Sequence, residues 1–353
     1  MLALAATEAG EFRQTVSLQT VDIPTDPPDF LLVQVAWSDL NPVDLQKLHS
    51  RTTDFPFVSG FSGSGIVQET SDEVAFPVGA SVCFLLDPTK KSGSYAQYCR
   101  VDRRAAALVP PQITLKEAAS IPLAGCTAYE SLRKLGLLTE STTSVQTLLI
   151  VGGAGGVGSW ATRIARAWHP NLEIICTSDT SRDWCLANGA SRCIPHVLQE
   201  LPGGPHGSVD AILCLTEPTP TLMNAMSEVI RPYGSICLVV AGPSIRSLNL
   251  DFVFFKSVTV YTETVFSCFR TQFSHSQPSK MMAQILNWMS TGRICAPLSP
   301  CLDEIDADWT KATVPNGILE RLHSGHVQGK LVMRIGDSSV AGNVHDTDFV
   351  DAR

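Results

Sequence analysis

The chain has 353 residues, of which 44% are hydrophobic and 17% charged, and its formal net charge is −8. This length predicts two domains with ample core. The acidic balance argues against a nucleic-acid-binding or anionic-membrane-binding surface, because both need basic patches. The sequence shows neither an apolar run long enough to span a bilayer nor a basic leader, so we expect no transmembrane helix and no signal peptide.

The cysteines indicate the redox environment. The chain has 11 of them, an odd number, and no Cys-x-x-Cys pair. Several lie inside apolar runs, as Cys176 and Cys214 do. We interpret these as small buried side chains in a reducing compartment, and expect a cytoplasmic protein without disulfides.

The first 120 residues have the pattern of a β-rich domain. Short apolar runs separated by Gly, Pro and Asp predict a small barrel, with strands expected at 30–36, 60–67, 78–86 and 94–101. Thr114 and Glu117 then have the spacing of a capping box, which predicts a helix start. Pro122 is expected to end that helix, and a second helix is expected at 127–135.

From residue 148 onward, strands alternate with helices, which predicts a parallel sheet covered by helices on both faces. The expected strands are 148–151, 172–177, 192–194, 209–216, 235–241 and 258–265, and the expected helices are 181–187, 220–230 and 278–289. A helix at 317–324 and a strand at 330–335 follow. Residues 336–353 are polar and acidic, and we expect a frayed tail.

A glycine-rich turn lies between the first of these strands and the helix that follows it. Its Gly-x-Gly-x-x-Gly pattern provides a tight turn, close backbone approach to a pyrophosphate, and close packing of helix on strand. Phosphates bind well at such a helix N-terminus. We therefore predict a dinucleotide site, against the alternative of a purely structural turn, at Gly153, Ala154, Gly155, Gly156, Val157 and Gly158.

Several segments resemble the medium-chain dehydrogenase/reductase superfamily, and in particular its quinone oxidoreductase and enoyl reductase branch. The segments that carry the resemblance are Asn41-Pro-Val-Asp44, 118–130, 152–158 and 325–330, and 180–190 looks like the zinc-type alcohol dehydrogenase-like subgroup. The resemblance implies an α/β fold: a GroES-like β-barrel catalytic domain and a Rossmann doubly wound parallel sheet. The expected division is 1–123 catalytic, 124–292 Rossmann, 293–335 return to the catalytic domain, and 336–353 tail.

The same resemblance also indicates whether the protein can bind zinc. Zinc-dependent members carry a Cys where Asp44 stands and Gly-His-Glu where Gly60-Phe61-Ser62 stands. The four clustered cysteines of a structural zinc lobe are also missing. Since zinc needs three or four converging N or S ligands, we predict no metal.

Without a Lewis acid, reduction of a simple ketone loses its usual means of polarising the carbonyl. A double bond conjugated to a carbonyl is easier to reduce, because charge spreads onto the carbonyl oxygen. The resemblance therefore implies hydride transfer to a small apolar quinone, enone or enoyl substrate. Two alternatives stay open: a trans-acting enoyl reductase that partners a polyketide synthase, and a non-catalytic nucleotide-binding protein.

The choice between NADPH and NADH depends on the end of the second Rossmann strand, where NAD-selective domains carry an acidic residue. Here Ser178, Ser181 and Arg182 form a polar and cationic group suited to a 2′-phosphate. This predicts NADPH. Asp179 keeps NADH open, because a shift of one residue would make it the ribose acid.

Four further residues are candidates by resemblance. Asn41 could hydrogen-bond near the nicotinamide ribose or substrate carbonyl, or simply form an Asn-Pro turn. Asp44 could orient that loop, contact the ribose, or be a capping or solvated carboxylate. We assign Asn41 and Asp44 to catalysis. Thr127 could lie near the phosphates and nicotinamide, or only begin a helix. Lys330 could pair with a cofactor phosphate or lie at a strand edge.

Three observations concern the proton donor, the pocket and the quaternary structure. Gln46 stands where some quinone reductases carry a Tyr, and His49, His323 and His326 have no partner visible in the sequence, so no proton donor is assigned. Pairing of the strand 258–265 across a two-fold axis would give a homodimer. The pocket walls are expected to come from loops around 46–58 and 243–276. Six phenylalanines of these loops could line an apolar cleft, the core or a dimer contact: Phe55, Phe57, Phe254, Phe255, Phe266 and Phe269.

Overall fold

The protein is described here by a computed structural model. It describes residues 1–25, 30–50, 54–138, 144–204, 206–273, 277–300 and 308–335. The expected tail at 336–353 lies outside the described residues. Within the described ranges, no helix is long and apolar enough to cross a membrane.

Two antiparallel sheets form the first part of the chain. Their strands are β1 (Leu2–Ala6), β2 (Val16–Thr20), β3 (Phe30–Asp39), β4 (Phe57–Val58), β5 (Ser62–Glu69), β6 (Ser81–Leu85), β7 (Tyr98–Asp102) and β8 (Ala106–Leu108). One sheet has the order β2-β1-β4; the other runs β3-β5-β6-β8, and β7 also pairs with β3. All four predicted strands are present with shifted ends. β3 has hydrogen-bonded neighbours on both sides and is therefore nearly continuous in apolar residues.

The second part contains a six-stranded parallel sheet. Its strands are β9 (Thr147–Val151), β10 (Glu173–Thr177), β11 (Arg192–Ile194), β12 (Val209–Cys214), β13 (Ile230–Leu238) and β14 (Thr259–Thr262), in the order β11-β10-β9-β12-β13-β14. β9 lies at the point where the strand order reverses, and all five of its residues are buried. This is the predicted doubly wound sheet, and its ligand crevice is expected at the carboxyl end of β9.

Helices pack against the sheets of both parts of the chain. They are α1 (Phe12–Thr15), α2 (Pro42–Ser50), α3 (Leu115–Ala119), α4 (Cys126–Lys134), α5 (Gly156–Trp168), α6 (Arg182–Ala187), α7 (Pro220–Val229), α8 (Asp251–Phe255), α9 (Ser267–Arg270), α10 (Pro278–Ser290) and α11 (Ile318–His323). Short 3-10 helices lie at Arg103–Ala105, Leu198–Glu200, Pro243–Ser247 and Trp309–Lys311. The capping box of Thr114 and Glu117 is present in full.

The final strand returns to the first domain. β15 (Val332–Arg334) pairs antiparallel with β3, with Val332 opposite Asp39. Just before it, the Gly329 N–H donates to the Ala154 carbonyl oxygen at 2.9 Å, within the glycine-rich turn. The segment that includes Lys330 therefore joins the catalytic sheet to the Rossmann turn. The domain boundaries at 123 and 292 stay predictions.

Three expectations need correction. The segment 46–58, expected to be a pocket loop, begins inside α2, since Pro42 suits a first helical position. Pro122 does not separate two helices by a loop; it lies in a π-helical turn, Ile121–Gly125, that leads directly into α4. The strand expected at 235–241 starts earlier, at Ile230, where the sequence predicted the end of a helix.

The cysteines that the structure describes are mostly buried, as predicted from the apolar runs around them. Those in the described ranges are free, and all except Cys295 are buried. Cys301 lies outside the described residues. Burial raises the pKa of the Cys83 thiol to about 12, as expected for an inert core side chain.

Candidate active and cofactor site

Four glycines in and beside the glycine-rich turn have different structural roles. Gly152 has a φ of +82°, in the left-handed region that favours glycine. A Cβ on Gly153 would lie 2.6 Å from Cys176 Sγ, and one on Gly158 would lie 2.6 Å from the Gly153 carbonyl oxygen. A Cβ on Gly155 would meet nothing in the described chain closer than 3.8 Å.

Gly155 therefore leaves open space at the N-terminus of the 13-residue helix α5. Its N–H groups and dipole favour an anion there, and no side chain caps them. Packing within the protein does not need a glycine at this position, but close approach of a pyrophosphate does. The turn fits the predicted dinucleotide.

The residues predicted to hold the 2′-phosphate lie together after β10. The Ser181 N–H donates to Ser178 Oγ at 3.1 Å, and Gln328 Nε2 donates to Ser181 Oγ at 3.1 Å. Arg182 is exposed and donates one hydrogen bond to the Cys193 carbonyl oxygen. A cleft of about 400 Å³ opens beside them, lined by Thr180, Ser181, Arg182, Asp183, Trp184, Ala187 and Gln328.

Asp179, the alternative ribose acid, has one oxygen engaged. Its Oδ1 accepts the N–H of His196 at 2.9 Å. The His196 ring lies 2.9 Å, Nδ1 to Oγ1, from Thr177, whose hydroxyl also accepts the Gly152 N–H. His196 and Gln328 gave no signal in the sequence, because both come from segments distant along the chain from the strand end that they reach.

A buried polar cluster lies on the other side of the turn, where β3 leads into α2. Lys330 Nζ forms an ion pair with Asp39 at 2.5 Å, and donates to Asn41 Oδ1 at 2.7 Å and to the Leu40 carbonyl oxygen at 2.9 Å. A Cβ on Gly156 would strike the Lys330 stem. Lys330 is thus close to the turn, but its ammonium faces the catalytic domain, and its contact with a cofactor phosphate stays a prediction. Asp39 gave no sequence signal.

Asp44 is fully buried in the same cluster. Its Oδ2 accepts the Asn41 N–H at 2.7 Å and the Tyr95 hydroxyl at 2.9 Å. Burial raises the pKa of Asp44 to about 7, against the lowering effect of these two hydrogen bonds. Gly60 lets the Tyr95 ring lie against the backbone, since a Cβ there would be 2.4 Å from that ring. Tyr95 was also missed, because it lies far from Asp44 along the chain.

The positions that hold zinc in related enzymes contain no set of N or S ligands. Phe61 is buried, with its ring 6.5 Å from that of Phe57 and 5.9 Å edge-on to Phe266. Ser62 Oγ donates to Asp39 Oδ2 at 3.0 Å. Among the described residues, no group of three or more His, Cys, Asp or Glu side chains could hold a metal ion. These side chains do not fit a zinc ion.

Other candidates have local roles. The Thr127 hydroxyl donates to the Leu123 carbonyl oxygen at 2.7 Å, one helical turn back. His49 pairs with Glu11, which raises the pKa of His49, and the His323 ring packs on Phe12. The phenylalanines fall into a buried and an exposed group. Phe57 and Phe266 pack against Phe61, whereas Phe254 and Phe255 are 78% and 82% exposed.

Comparison with known proteins settles the family. Residues 27–111 match the alcohol dehydrogenase GroES-like domain. The chain is 34% identical over 251 residues to a zinc-type alcohol dehydrogenase-like protein of Staphylococcus epidermidis, covering 70% of this chain and 74% of that relative. It is 32% identical over 192 residues to a 2-methylene-furan-3-one reductase of Solanum lycopersicum, covering 52% and 48%. A quinone oxidoreductase from Coxiella burnetii superposes with a TM-score of 0.77 at 20% identity, covering 95% and 99%.

The chain belongs to the medium-chain dehydrogenase/reductase superfamily, in its quinone oxidoreductase-like branch.

Membership in this superfamily of oxidoreductases confirms the predicted fold class of a GroES-like domain with a Rossmann domain. Other superfamily members share the fold. A putative zinc-dependent alcohol dehydrogenase from Rhizobium etli has a TM-score of 0.79 at 23% identity, covering 96% and 98%. A mycobacterial protein complexed with NADPH has a TM-score of 0.75 at 20% identity, covering 95% and 99%.

Proposed function

We propose that this protein is a zinc-independent, NADPH-dependent reductase of activated double bonds in small apolar enones, enoyl compounds or quinones. The observation that carries the proposal is the set Asp44, Phe61 and Ser62 at the positions where zinc-dependent relatives bind metal. These side chains do not make a Lewis acid site, so the substrate must spread its own developing charge. A double bond conjugated to a carbonyl does so.

NADPH is favoured over NADH by the surroundings of the cleft after β10. Arg182 and the hydroxyls of Ser178 and Ser181 offer charge-assisted hydrogen bonds to a 2′-phosphate. One oxygen of Asp179 is engaged by the His196 N–H, which leaves that carboxylate less able to accept both ribose hydroxyls. Gln328 and His196 border the same group and are further candidates for contact with the phosphate.

When bound, the cofactor supplies a hydride to the substrate. The chain's own residues position and enclose the reactants: the glycine turn holds the pyrophosphate, and α2 presents Asn41 and Asp44 near that turn. Phe266 packs edge-on against the buried ring of Phe61 and keeps part of its own ring accessible, so it can offer an apolar contact. An apolar surface excludes water and favours an apolar substrate.

A spectrophotometric screen tests this function. Purified protein is mixed with NADPH or NADH and with a panel of quinones, enals, enones and simple ketones, and oxidation of the reduced nicotinamide is followed. We expect oxidation of NADPH with conjugated substrates, slower oxidation of NADH, and none with simple ketones. Treatment with a chelator serves as the control and should leave the rate unchanged. Tight NADPH binding without oxidation across the panel would instead indicate a non-catalytic nucleotide-binding protein.

A further inference from the structure

Two polar atoms at the start of α2, one on the residue just before the helix and one on its first turn, are buried without a hydrogen-bond partner among the described residues. They are the amide nitrogen Nδ2 of Asn41 and the carboxyl oxygen Oδ1 of Asp44. Leaving a buried polar group unpaired costs about 1–3 kcal/mol. Two such atoms, three residues apart beside a cofactor turn, therefore indicate where a polar atom of a ligand binds.

Lys330 determines which way the Asn41 amide points. Its ammonium lies 2.7 Å from the amide oxygen of Asn41. Because an ammonium only donates hydrogen bonds, the oxygen of the amide must face it. The Nδ2 group then faces the other side, where it offers N–H donors.

Asp44 is the second carboxyl group beside a single buried cation. Lys330 already forms its ion pair with Asp39 at 2.5 Å. The partners of Asp44 are the neutral Asn41 N–H and Tyr95 hydroxyl, and both reach the same oxygen, Oδ2. A second buried carboxylate without a cation of its own is costly, so the neutral acid is favoured at Asp44. Its proton then lies on Oδ1, because Oδ2 accepts both hydrogen bonds.

The result is two donors at the N-terminal end of α2, the Asn41 amide and the Asp44 acid. We propose that these two donors hold the carbonyl oxygen of the substrate, and that Asp44 protonates this oxygen after hydride addition. This proposal rests on the reductase function proposed above. A neutral aspartic acid that acts as a hydrogen-bond donor to an enolate has precedent in enzymes. Tyr95 is a positioning residue that stabilises the carboxylate left behind.

Hydride adds to the β-carbon of the substrate, and the electrons of the carbon–carbon double bond move toward the carbonyl, whose oxygen becomes an enolate. The O–H bond of Asp44 breaks while a new O–H bond forms on that oxygen, which gives an enol. The enol tautomerises to the saturated ketone in water. Solvent then returns a proton to Asp44.

Asp44→Asn tests the proton transfer. Asparagine can keep a donor at the Oδ1 position but has no acidic proton. We expect kcat with an enone to fall by about 100-fold or more, while KM changes only a few-fold. The matched control is Asp22→Asn, at an exposed aspartate, which should keep wild-type kinetics. Wild-type kcat and KM in Asp44→Asn would overturn the proposal.

The pH profile tests the roles of Asp44 and Tyr95 together. Since the acid form of Asp44 is required, wild-type kcat should fall as the pH rises through about 7, near the pKa of this carboxyl. The Tyr95 hydroxyl lowers that pKa by stabilising the carboxylate. Tyr95→Phe should therefore move the fall to higher pH. An unmoved profile in Tyr95→Phe would argue against this pair.

An infrared measurement tests the acid without turnover. At pH 6 the wild-type spectrum should contain the C=O stretch of a neutral carboxyl that is absent from Asp44→Asn and present in Asp22→Asn. Absence of this difference band would overturn the proposal. If no substrate in the screen oxidises NADPH, the reductase function fails, and the band still shows whether Asp44 is a neutral acid. The two failures are thus distinguishable.

Discussion

Arg182 is exposed beside the 400 Å³ cleft, and its guanidinium has donors beyond the one given to the Cys193 carbonyl oxygen. Hydrogen bonds to charged groups contribute about 1.5–3 kcal/mol each. We therefore expect Arg182→Ala to weaken NADPH binding by roughly 10- to 100-fold and to leave NADH binding nearly unchanged. Calorimetric titration with both nucleotides measures the ratio.

Arg192, a partly exposed residue on neighbouring β11, provides a control for net charge. It pairs with Glu173 outside the cleft. Arg192→Ala should change NADPH affinity by less than a few-fold, since exposed ion pairs and distant charges contribute little. Equal losses of NADPH and NADH affinity in Arg182→Ala would contradict the assignment of the 2′-phosphate to this residue.

Asp44 also has a consequence for stability. Its pKa is about 7 in the folded protein, because of burial, and near 3.9 when unfolded. The folded state therefore binds more protons than the unfolded state between these values, and this contribution to stability is lost as the pH rises through 7. Asp44→Asn cannot titrate. Its stability relative to wild type should rise between pH 5 and 8 by a few kcal/mol, on the order of 1.4 kcal/mol per pH unit below 7.

Thermal unfolding midpoints of the two proteins from pH 5 to 8 check this expectation. Asp39, whose pKa is also raised by burial, is present in both proteins, so the difference reports Asp44 together with its electrostatic coupling to Asp39. A difference between the two midpoints that stays constant with pH would show that the folded pKa of Asp44 is not raised.

At the scale of elements, glycines in the turn between β9 and α5 are required for two different reasons: packing within the protein and close approach of a ligand. Gly158 is needed by the protein itself, because a Cβ there would overlap the Gly153 backbone. Gly155 has open space. We expect Gly155→Ala to keep a near-wild-type melting temperature but to lose at least 10-fold in NADPH affinity. Gly158→Ala should lower the melting temperature by several degrees.

Thermal unfolding and nucleotide titration of both variants distinguish these roles. The exposed tip Gly79 is not a suitable control, because its φ of +86° would strain alanine. Ala283→Gly, at an exposed position in the middle of α10, instead controls for the small propensity change, and should cost less than about 1 kcal/mol. Wild-type NADPH affinity in Gly155→Ala would mean that the open space is not a pyrophosphate site.

The helices and strands of the Rossmann half could be predicted from the sequence, because local propensity and tertiary packing favour the same secondary structure there. Buried runs such as that of β9 are too short for helices, and Gly and Pro separate them. The helix α2 was missed, because Asp44 is buried where the helical pattern predicts a polar face. The π-helical turn around Pro122 was missed for a related reason. All five of its residues are buried against neighbouring elements, and this packing keeps the chain helical although Pro122 alone would end a helix.

At the scale of the whole molecule, the sequence predicted site residues that lie on one continuous segment. The glycine turn and the group from Ser178 to Arg182 are of this kind. The partners of these groups, such as Tyr95 and His196, come from distant segments and become visible only when the chain is folded. The direction of Lys330 likewise depends on Asp39, which meets it only because β15 pairs with β3.

The outer edge of the Rossmann sheet leads to a prediction about assembly. β14 pairs with β13, and no other described strand covers its opposite edge. Phe254 and Phe255 lie just before it, with their rings edge-to-face at 5.7 Å and largely exposed. An open strand edge beside an exposed aromatic pair favours association, and a second copy can pair with it symmetrically.

We therefore expect a homodimer of about twice the chain mass of 38.0 kDa, joined through β14. Glutamates at both phenylalanines would bring like charges together across the two-fold axis, so Phe254→Glu with Phe255→Glu should give a monomer. Val74→Glu, at a fully exposed valine of the catalytic domain, is the matched control and should stay dimeric. Size-exclusion chromatography with light scattering measures the mass. A monomeric wild-type protein at micromolar concentration would exclude this interface.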